Sequence, residues 1–242
     1  MSASREPSDR LPSQGVFVTG TGTEVGKTVV AAVIARSLVE EGKRVAAFKP
    51  AVTGLDDYAD GGPDRGGPAF PRPDHVVLRD AAGSSQGDEE ISPYRYGPPM
   101  SPHLGAELAG EEIEPEWLLG GAREAAAGAD ALVCEGVGGL MVPLAADYLV
   151  RDFAVDLGLP LVVAASPGLG TINHTLLTVE AARQVGLDVA VVVLTPWPDG
   201  PSRVEESNRE TIAALGEVEV EALPLLDLSA PSSWPRLALH RD

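Results

Sequence analysis

A glycine-rich turn between an apolar strand and an apolar helix constrains this chain more than any other feature. Residues 15–28 read G-V-F-V-T-G-T-G-T-E-V-G-K-T, and the run that begins at Val29 is apolar almost all round. Glycine lets backbone N–H groups converge on an anion, and the start of a helix adds partial positive charge. In such a turn Lys27 would reach the terminal phosphates of a nucleotide, and Thr28 would hold Mg²⁺.

The turn departs by one residue from the strict phosphate-loop spacing G-x-x-x-x-G-K-[ST], because Thr21 stands where the first glycine belongs. An ordinary glycine-rich turn that carries an exposed lysine is the alternative. The strand before the turn and the helix after it are the context that a phosphate loop requires. We therefore predict a site for a nucleoside triphosphate.

Apolar runs alternate with helical patterns along the rest of the chain. The apolar runs predict buried strands at 16–18, 44–48, 131–134, 161–165, 189–194 and 220–223. The helical patterns lie at 29–41, 74–83, 103–109, 115–127, 149–157, 172–185 and 204–215. This alternation predicts an α/β fold: a doubly wound, mainly parallel sheet with helices on both faces, of the phosphate-loop NTPase type. No composition break marks a linker, so we expect a single domain over residues 15–242.

Two segments lack this periodicity. Residues 1–14 are polar and contain two prolines, so we expect a disordered leader there. Residues 56–73 are rich in glycine, proline and aspartate, which predicts a mobile surface loop.

Charge and cysteine content narrow the functional classes. The formal net charge of −18 opposes non-specific binding to nucleic acid or to anionic membranes. No apolar run approaches the roughly 18–20 residues that a membrane span needs. The single cysteine, Cys134, excludes an intrachain disulfide and favours a reducing, cytoplasmic setting. Its position on an apolar strand predicts a core residue rather than a nucleophile.

Charged residues follow two of the predicted strands. Lys49 comes directly after the strand at 44–48, and Glu135 comes directly after the strand at 131–134. Ligands of open parallel sheets bind beyond the carboxyl ends of the strands, where a carboxylate can hold Mg²⁺ or its bound water. From the residues alone, a solvated charge explains Glu135 equally well and Lys49 better. Asp74, at the start of a helical pattern, is by default an N-cap.

Together the motifs resemble those of one family. They occur in the order seen in dethiobiotin synthetases, over roughly residues 16–226: G-T-G-T-E-V-G-K-T, F-K-P-A-V-T-G, S-P-H, E-G-V-G-G and G-T-I-N-H. The resemblance implies an ATP-dependent ring closure in biotin synthesis. In that reaction 7,8-diaminopelargonate takes up CO2 as a carbamate, ATP phosphorylates the carbamate, and the second amine displaces phosphate to give dethiobiotin.

The resemblance also implies roles for individual residues. It makes Lys49 the catalytic lysine, supported by Lys27, and it assigns the metal to Thr28, Asp74 and Glu135. The implied nucleotide contacts are Glu24, Val25, Gly26, Lys27, Thr28, Val29, Asp74, Glu135, Gly136, Val137, Gly138, Thr195, Pro196, Pro224, Leu225 and Leu226. The implied substrate contacts are Thr23, Thr53, Gly170, Thr171, Ile172 and Asn173.

Similar enzymes are homodimers in which the substrate lies against the partner subunit. The resemblance therefore implies a homodimer here as well. The helix that opens at 168–174 would offer free N–H groups to the substrate carboxylate. A plain helix N-terminus after a strand is the alternative for this segment.

One departure from the family concerns the nucleobase. The family commonly has an Asn-Asp pair that reads adenine after the strand at 189–194, whereas this chain has Thr195 and Pro196. We therefore expect that triphosphates other than ATP also serve as substrates.

Two other functions fit the same sheet. A nucleotide-driven switch or partition protein would carry a second lysine early in the phosphate loop, and residues 20–23 contain none. A related amide-forming ligase for a larger acid, such as a corrinoid, would normally carry a glutamine-hydrolysing domain, for which we expect no room in this chain.

Overall fold

The computed structural model describes residues 11–12, 14–58 and 72–237. The strands in this part of the chain are β1 (Gln14–Gly20), β2 (Val45–Phe48), β3 (Ala51–Val52), β4 (Tyr94–Arg95), β5 (Ala131–Glu135), β6 (Pro143–Ala145), β7 (Tyr148–Leu149), β8 (Leu161–Ala165), β9 (Val189–Trp197) and β10 (Val220–Pro224). The α-helices are α1 (Lys27–Glu40), α2 (Asp74–Ala81), α3 (Asp88–Ile91), α4 (Pro102–Ala109), α5 (Pro115–Ala125), α6 (Val150–Leu157), α7 (Thr171–Arg183) and α8 (Arg203–Gly216).

Six of these strands form the central sheet, in the order β10-β9-β8-β1-β5-β2. Every neighbouring pair in this sheet is parallel. All six carboxyl ends therefore lie along one edge of the sheet, and β1, β5 and β2 bring theirs together in adjacent positions. This topology confirms the predicted α/β class with a parallel sheet.

Helices cover both faces of the sheet because each strand carries apolar side chains on both of its faces. On one face, α1 and α2 pack against alternate residues of β1 and β2, such as Val18 and Ala47. On the other face, α5, α6 and α7 pack around Phe17, Phe48 and Phe153. The two apolar layers hold the sheet rigid, which fixes the positions of side chains at its carboxyl edge.

The larger elements confirm the sequence predictions, with small changes at their ends. The strand predicted at 189–194 continues to Trp197, because Trp197 still pairs with Pro224 of β10 across an irregular register. Thr195 and Pro196 therefore lie within β9 and not after it.

Two predicted site residues also differ in their place within an element. Glu135, expected just after its strand, is the last residue of β5. Asp74 is the first residue of α2, and Pro73 is its N-cap.

Several short elements escape sequence reasoning because they are too short to show a period. They are the parallel pair β3–β4, the antiparallel pair β6–β7, helix α3 and a 3₁₀ turn at Leu55–Tyr58. The 3₁₀ turn overlaps the start of the predicted loop at 56–73, of which residues 59–71 lie outside the described residues. The predicted leader overlaps β1 at Gln14, and residues 1–10 and 13 also lie outside the described part. None of the described helices is long and apolar enough to cross a membrane.

Candidate active site

The phosphate loop joins β1 to α1 through a left-handed glycine. Gly26 is the N-cap residue of α1 and has a φ of 89°. A methyl group built on Gly26 would lie 2.5 Å from the Cγ2 atom of Thr195. Both the backbone angle and the close approach of Thr195 therefore require glycine at this position.

The loop also packs against the glycine run that follows β5. A Cβ atom on Gly139 would lie 3.2 Å from the carbonyl oxygen of Gly20. The Gly136 N–H donates a hydrogen bond of 2.9 Å to the carbonyl of Val18, which ties the same run to β1. The glycines that follow Glu135 in E-G-V-G-G thus let this run lie directly against the start of the phosphate loop.

Five charged or hydroxyl side chains predicted from scattered positions form one cluster at this edge. Lys49 donates from its Nζ atom to Oε1 of Glu135 at 2.7 Å, and the same Nζ lies 3.2 Å from Oδ2 of Asp74. Thr28 donates from its hydroxyl to the same Oε1 of Glu135 at 2.8 Å. Lys27 donates to the carbonyl oxygen of Gly22 at 2.7 Å, so its side chain arches back over the loop.

Lys27, Thr28, Lys49 and Glu135 are buried, whereas 35% of the Asp74 side chain is exposed. This burial shifts the pKa values of the cluster. Burial, with the like charge of Lys49 in second place, lowers the pKa of Lys27 to about 8. Burial raises the pKa of the Glu135 carboxyl above its ordinary value. Burial alone would lower the pKa of Lys49, but the carboxylates of Glu135 and Asp74 outweigh it and raise that pKa. Burial also opposes ionisation of Asp74, yet Lys49 and Lys27 outweigh it and lower its pKa. Lys49 is thus held as a cation between two carboxylates.

The donor set fits Mg²⁺. Glu135 has no exposed surface, and within the described part of the chain its Oε2 atom has no hydrogen-bond partner. A buried carboxylate oxygen without a partner is costly unless a ligand satisfies it. Thr28 uses its hydrogen toward Glu135, which leaves its oxygen lone pairs for a cation. Within the described residues, no group of three or more aspartate, glutamate, histidine or cysteine side chains is arranged so that it could hold a metal ion without other ligands. Mg²⁺ commonly takes one or two carboxylates and completes its shell with water and phosphate oxygens.

The other predicted site residues lie along the same edge. Thr23 and Glu24 are exposed in the loop, and Glu24 has a left-handed φ of 59°, which is uncommon for a residue with a side chain. Thr53 follows β3 and is half-buried. Thr171, Ile172 and Asn173 open α7 after the left-handed Gly170, beyond the carboxyl end of β8.

The region predicted to read the nucleobase is formed by the ends of β9 and β10. Thr195 is buried, with only 2% of its surface exposed, and it packs beneath Gly26. Pro196 is exposed and follows a cis peptide bond. Pro224 ends β10 and pairs with Trp197. Of the two leucines that follow, Leu225 is exposed, whereas Leu226 is partly buried against the core layer that contains α1.

Sequence reasoning missed two side chains that hold parts of this edge. Asn208 of α8 donates to the carbonyl oxygens of Pro167 (2.9 Å) and Gly168 (3.2 Å), directly before α7. Gln86 bonds the backbone of Ala47 on β2. Neither belongs to a motif, and their partners are distant in the chain, so only the folded contacts reveal them.

Sequence comparisons give a consistent family. A family model described as an AAA domain matches residues 14–231. The ATP-dependent dethiobiotin synthetase BioD of Bacillus subtilis subsp. natto is 35% identical over 207 residues, which cover 86% of this chain and 85% of that protein. The enzyme of the same name from Anaeromyxobacter dehalogenans (strain 2CP-1) is 42% identical over 191 residues, which cover 78% and 80% of the two chains.

Solved structures support the fold. A ParA family ATPase from Chlorobium tepidum superposes with a TM-score of 0.51 at 16% identity, covering 90% of this chain and 86% of that one. The cell division ATPase MinD of Pyrococcus furiosus superposes with a TM-score of 0.52 at 16% identity, covering 87% and 83%. At this level of identity the likeness concerns the arrangement of strands and helices alone.

Proposed function

We propose that this chain, which belongs to the dethiobiotin synthetase family, is an ATP-dependent ligase of biotin biosynthesis. It joins CO2 to 7,8-diaminopelargonate and closes the ureido ring of dethiobiotin, while ATP becomes ADP and phosphate. One amine takes up CO2 as a carbamate, and a carbamate oxygen attacks the γ-phosphate. The second amine then attacks the carbonyl carbon of the resulting anhydride and expels phosphate.

The observation that carries this proposal is that Glu135 connects Lys49, directly after β2, with Thr28, directly after the phosphate loop. Lys49 and Thr28 both donate to Oε1 of Glu135, at 2.7 and 2.8 Å. The reaction brings two anions together, a carbamate and a triphosphate, so it needs cations between them. Lys49 supplies one such cation at a fixed position, because Glu135 and Asp74 hold its ammonium group from two sides.

The phosphate loop and the metal complete the charge balance. The backbone N–H groups that open α1, together with Lys27, bind the β- and γ-phosphates. Thr28, Asp74 and Glu135 hold Mg²⁺, which when bound neutralises the charge that develops on the γ-phosphate oxygens. Phosphoryl transfer of this kind depends on positioning and charge, and these residues provide both without forming a covalent bond to the substrate.

The substrate lies beyond β1 and β3 in this proposal. Thr23 and Thr53 contact its diamine end, and residues 170–173 receive its carboxylate across a homodimer. Exposed apolar side chains on α4 support an interface between two copies, since 38% of Leu104 and 68% of Leu108 is exposed. The single, buried Cys134 is consistent with a cytoplasmic enzyme.

Release of phosphate with each substrate omitted in turn tests the proposed function. ADP and phosphate should form when ATP, bicarbonate and 7,8-diaminopelargonate are all present. Omission of either the diamine or bicarbonate should abolish the signal. Rapid hydrolysis of ATP that ignores both would instead support a nucleotide-driven switch, the fold-level alternative.

A further inference from the structure

We propose that Gln86 is a positioning residue for Lys49, which it holds through the backbone of β2. The inference rests on the proposed function, because Gln86 affects the reaction only through the catalytic role proposed for Lys49. Gln86 lies outside the phosphate loop and outside the charged cluster. It acts at the free edge of the sheet.

β2 is the edge strand of the six-stranded sheet, with β5 on one side only. An edge strand leaves a row of backbone N–H and C=O groups without partners. Gln86 satisfies both groups of one residue: its Oε1 accepts from the Ala47 N–H at 2.9 Å, and its Nε2 donates to the Ala47 carbonyl at 3.1 Å. The amide thus replaces one residue of a missing neighbouring strand, because a donor and an acceptor are exchanged with one partner.

Gln86 is itself held in place. The hydroxyl of Ser84 donates to Oε1 of Gln86 at 2.9 Å and accepts from the Gln86 N–H at 3.2 Å. The side chain is therefore fixed in one orientation toward β2. A second bond on the same edge, from the Lys49 N–H to the carbonyl of Ile91 at 2.8 Å, fixes the strand two residues further on.

Lys49 comes directly after β2, two residues beyond Ala47. The backbone N–H groups of both residues bond outward, to Gln86 and to Ile91, so their side chains project from the same face. A small rotation of the strand about its axis would therefore move the Lys49 side chain away from Glu135 and Asp74. The contacts of Lys49 Nζ are short, at 2.7 and 3.2 Å, and they tolerate little displacement. A misplacement of about 1 Å can cost on the order of a hundredfold in rate.

The test compares Gln86→Met with Asp130→Ala. Methionine keeps the length of the glutamine side chain and removes its two hydrogen bonds to Ala47 together with the one from the Ser84 hydroxyl. Asp130 serves as the matched control because it also ties down β2, but at the far end: it accepts from the Arg44 N–H at 2.9 Å and from the Arg44 guanidinium. Steady-state kinetics and thermal unfolding are measured for the wild-type chain and both variants.

Gln86→Met should lower kcat roughly tenfold to a hundredfold and leave the KM for ATP within about twofold, because the phosphate loop is untouched. Asp130→Ala should leave kcat unchanged even where its loss of thermal stability is equal or greater. Equal kcat values for the two variants would overturn the role of Gln86. A wild-type chain that makes no dethiobiotin would overturn the proposed function instead.

A second variant covers the case in which Gln86→Met fails to fold. Ser84→Ala keeps both bonds to Ala47 and removes only the hydroxyl that orients the amide. It should lower kcat by a smaller factor, in the same direction and again without a change in the KM for ATP. A folded Ser84→Ala variant with wild-type kcat would contradict the proposal.

Discussion

The Nζ atom of Lys49 lies 2.7 Å from the Oε1 atom of Glu135, and solvent reaches almost none of either residue. Two buried charges stabilise a fold only weakly as a pair, but removal of one leaves the other without compensation in a medium of low polarity. This pair therefore links the stability of the protein to its chemistry. Each partner can be removed separately, and the two consequences can be measured.

Lys49→Met should reduce both stability and turnover. The loss of a buried partner predicts a decrease of about 3–5 kcal/mol in the free energy of unfolding. The loss of a fixed cation at the developing charge predicts a kcat lower by a factor on the order of 10²–10³. Denaturant titration and steady-state kinetics on the folded fraction measure the two effects.

Arg44→Met is the control for that variant, because Arg44 forms an exposed ion pair with Asp130 at 2.9 Å. Its effect on the free energy of unfolding should be much smaller than that of Lys49→Met, because solvent screens an exposed ion pair, and kcat should be unchanged. If Lys49→Met behaved like Arg44→Met in both measurements, Lys49 would be an ordinary charge at the end of a strand.

Glu135→Gln should weaken the binding of Mg²⁺, so that activity requires a higher Mg²⁺ concentration. The amide keeps an acceptor for Thr28 but loses the negative charge that attracts a cation, and one oxygen is replaced by a donor group. The Mg²⁺ concentration at half-maximal activity should rise about tenfold or more, as is typical of altered metal sites. An unchanged Mg²⁺ titration would remove Glu135 from the metal site.

The pH dependence of nucleotide binding should report on Lys27. With a pKa of about 8, lowered by burial and by Lys49, the ammonium of the free protein is charged below pH 8 and neutral above it. Affinity for Mg²⁺-free ATP should therefore fall as the pH rises through about 8, by up to roughly tenfold per pH unit, and binding above that pH should take up a proton.

Calorimetry at about pH 8.5 in two buffers of different ionisation enthalpy measures that proton uptake. Lys27→Arg provides the comparison, because a guanidinium stays charged throughout this range and should abolish the uptake. Proton uptake that is equal in both proteins, or absent from both, would mean that Lys27 does not titrate here.

Nucleobase selectivity should be weak. Thr195 is buried against Gly26, and Pro196 has no N–H to donate, so neither residue offers the paired donor and acceptor that read adenine. The loss of such a bidentate contact removes roughly 1–3 kcal/mol of discrimination, by analogy with base recognition in nucleic acids. We expect CTP, GTP and UTP to give kcat/KM values not far below that of ATP.

Comparison of kcat/KM for the four triphosphates at a fixed Mg²⁺ concentration tests this expectation. A preference for ATP beyond about a hundredfold, the upper end of that energy range, would require another group that reads adenine. The backbone around Pro224, Leu225 and Leu226 would then be the next segment to alter.

The sequence predicts the large elements of the fold and the placement of Lys49 and Glu135 at the carboxyl edge of the sheet. The continuous apolar run Leu161–Ala165 is buried on both faces and coincides with β8. Lys49 and Glu135 are predictable at the edge of the sheet because each follows such a run. The contact between Lys49 and Glu135 is not predictable from the sequence. It depends on β2 lying directly beside β5, and the order of strands is set by packing.

The limits of the sequence appear at Thr195 and Gln86. Thr195 occupies the position expected to face the base, yet its methyl group packs under Gly26, because the phosphate loop passes directly over the end of β9. Gln86 lies in a polar turn that contains no motif. Its two hydrogen bonds to the backbone of β2 form only because the fold brings that turn to the free edge of the sheet. Both roles depend on contacts between segments that are far apart in the chain.

The incorporation of labelled carbon tests the proposed reaction most directly. The chain is incubated with ATP, Mg²⁺, 7,8-diaminopelargonate and ¹³C-bicarbonate, and both the product mass and the ADP formed are measured. We predict dethiobiotin with one labelled carbon, in the ureido carbonyl, and one ADP for each molecule of product. ADP formed without labelled dethiobiotin, or at a rate that does not depend on the diamine, would contradict the account.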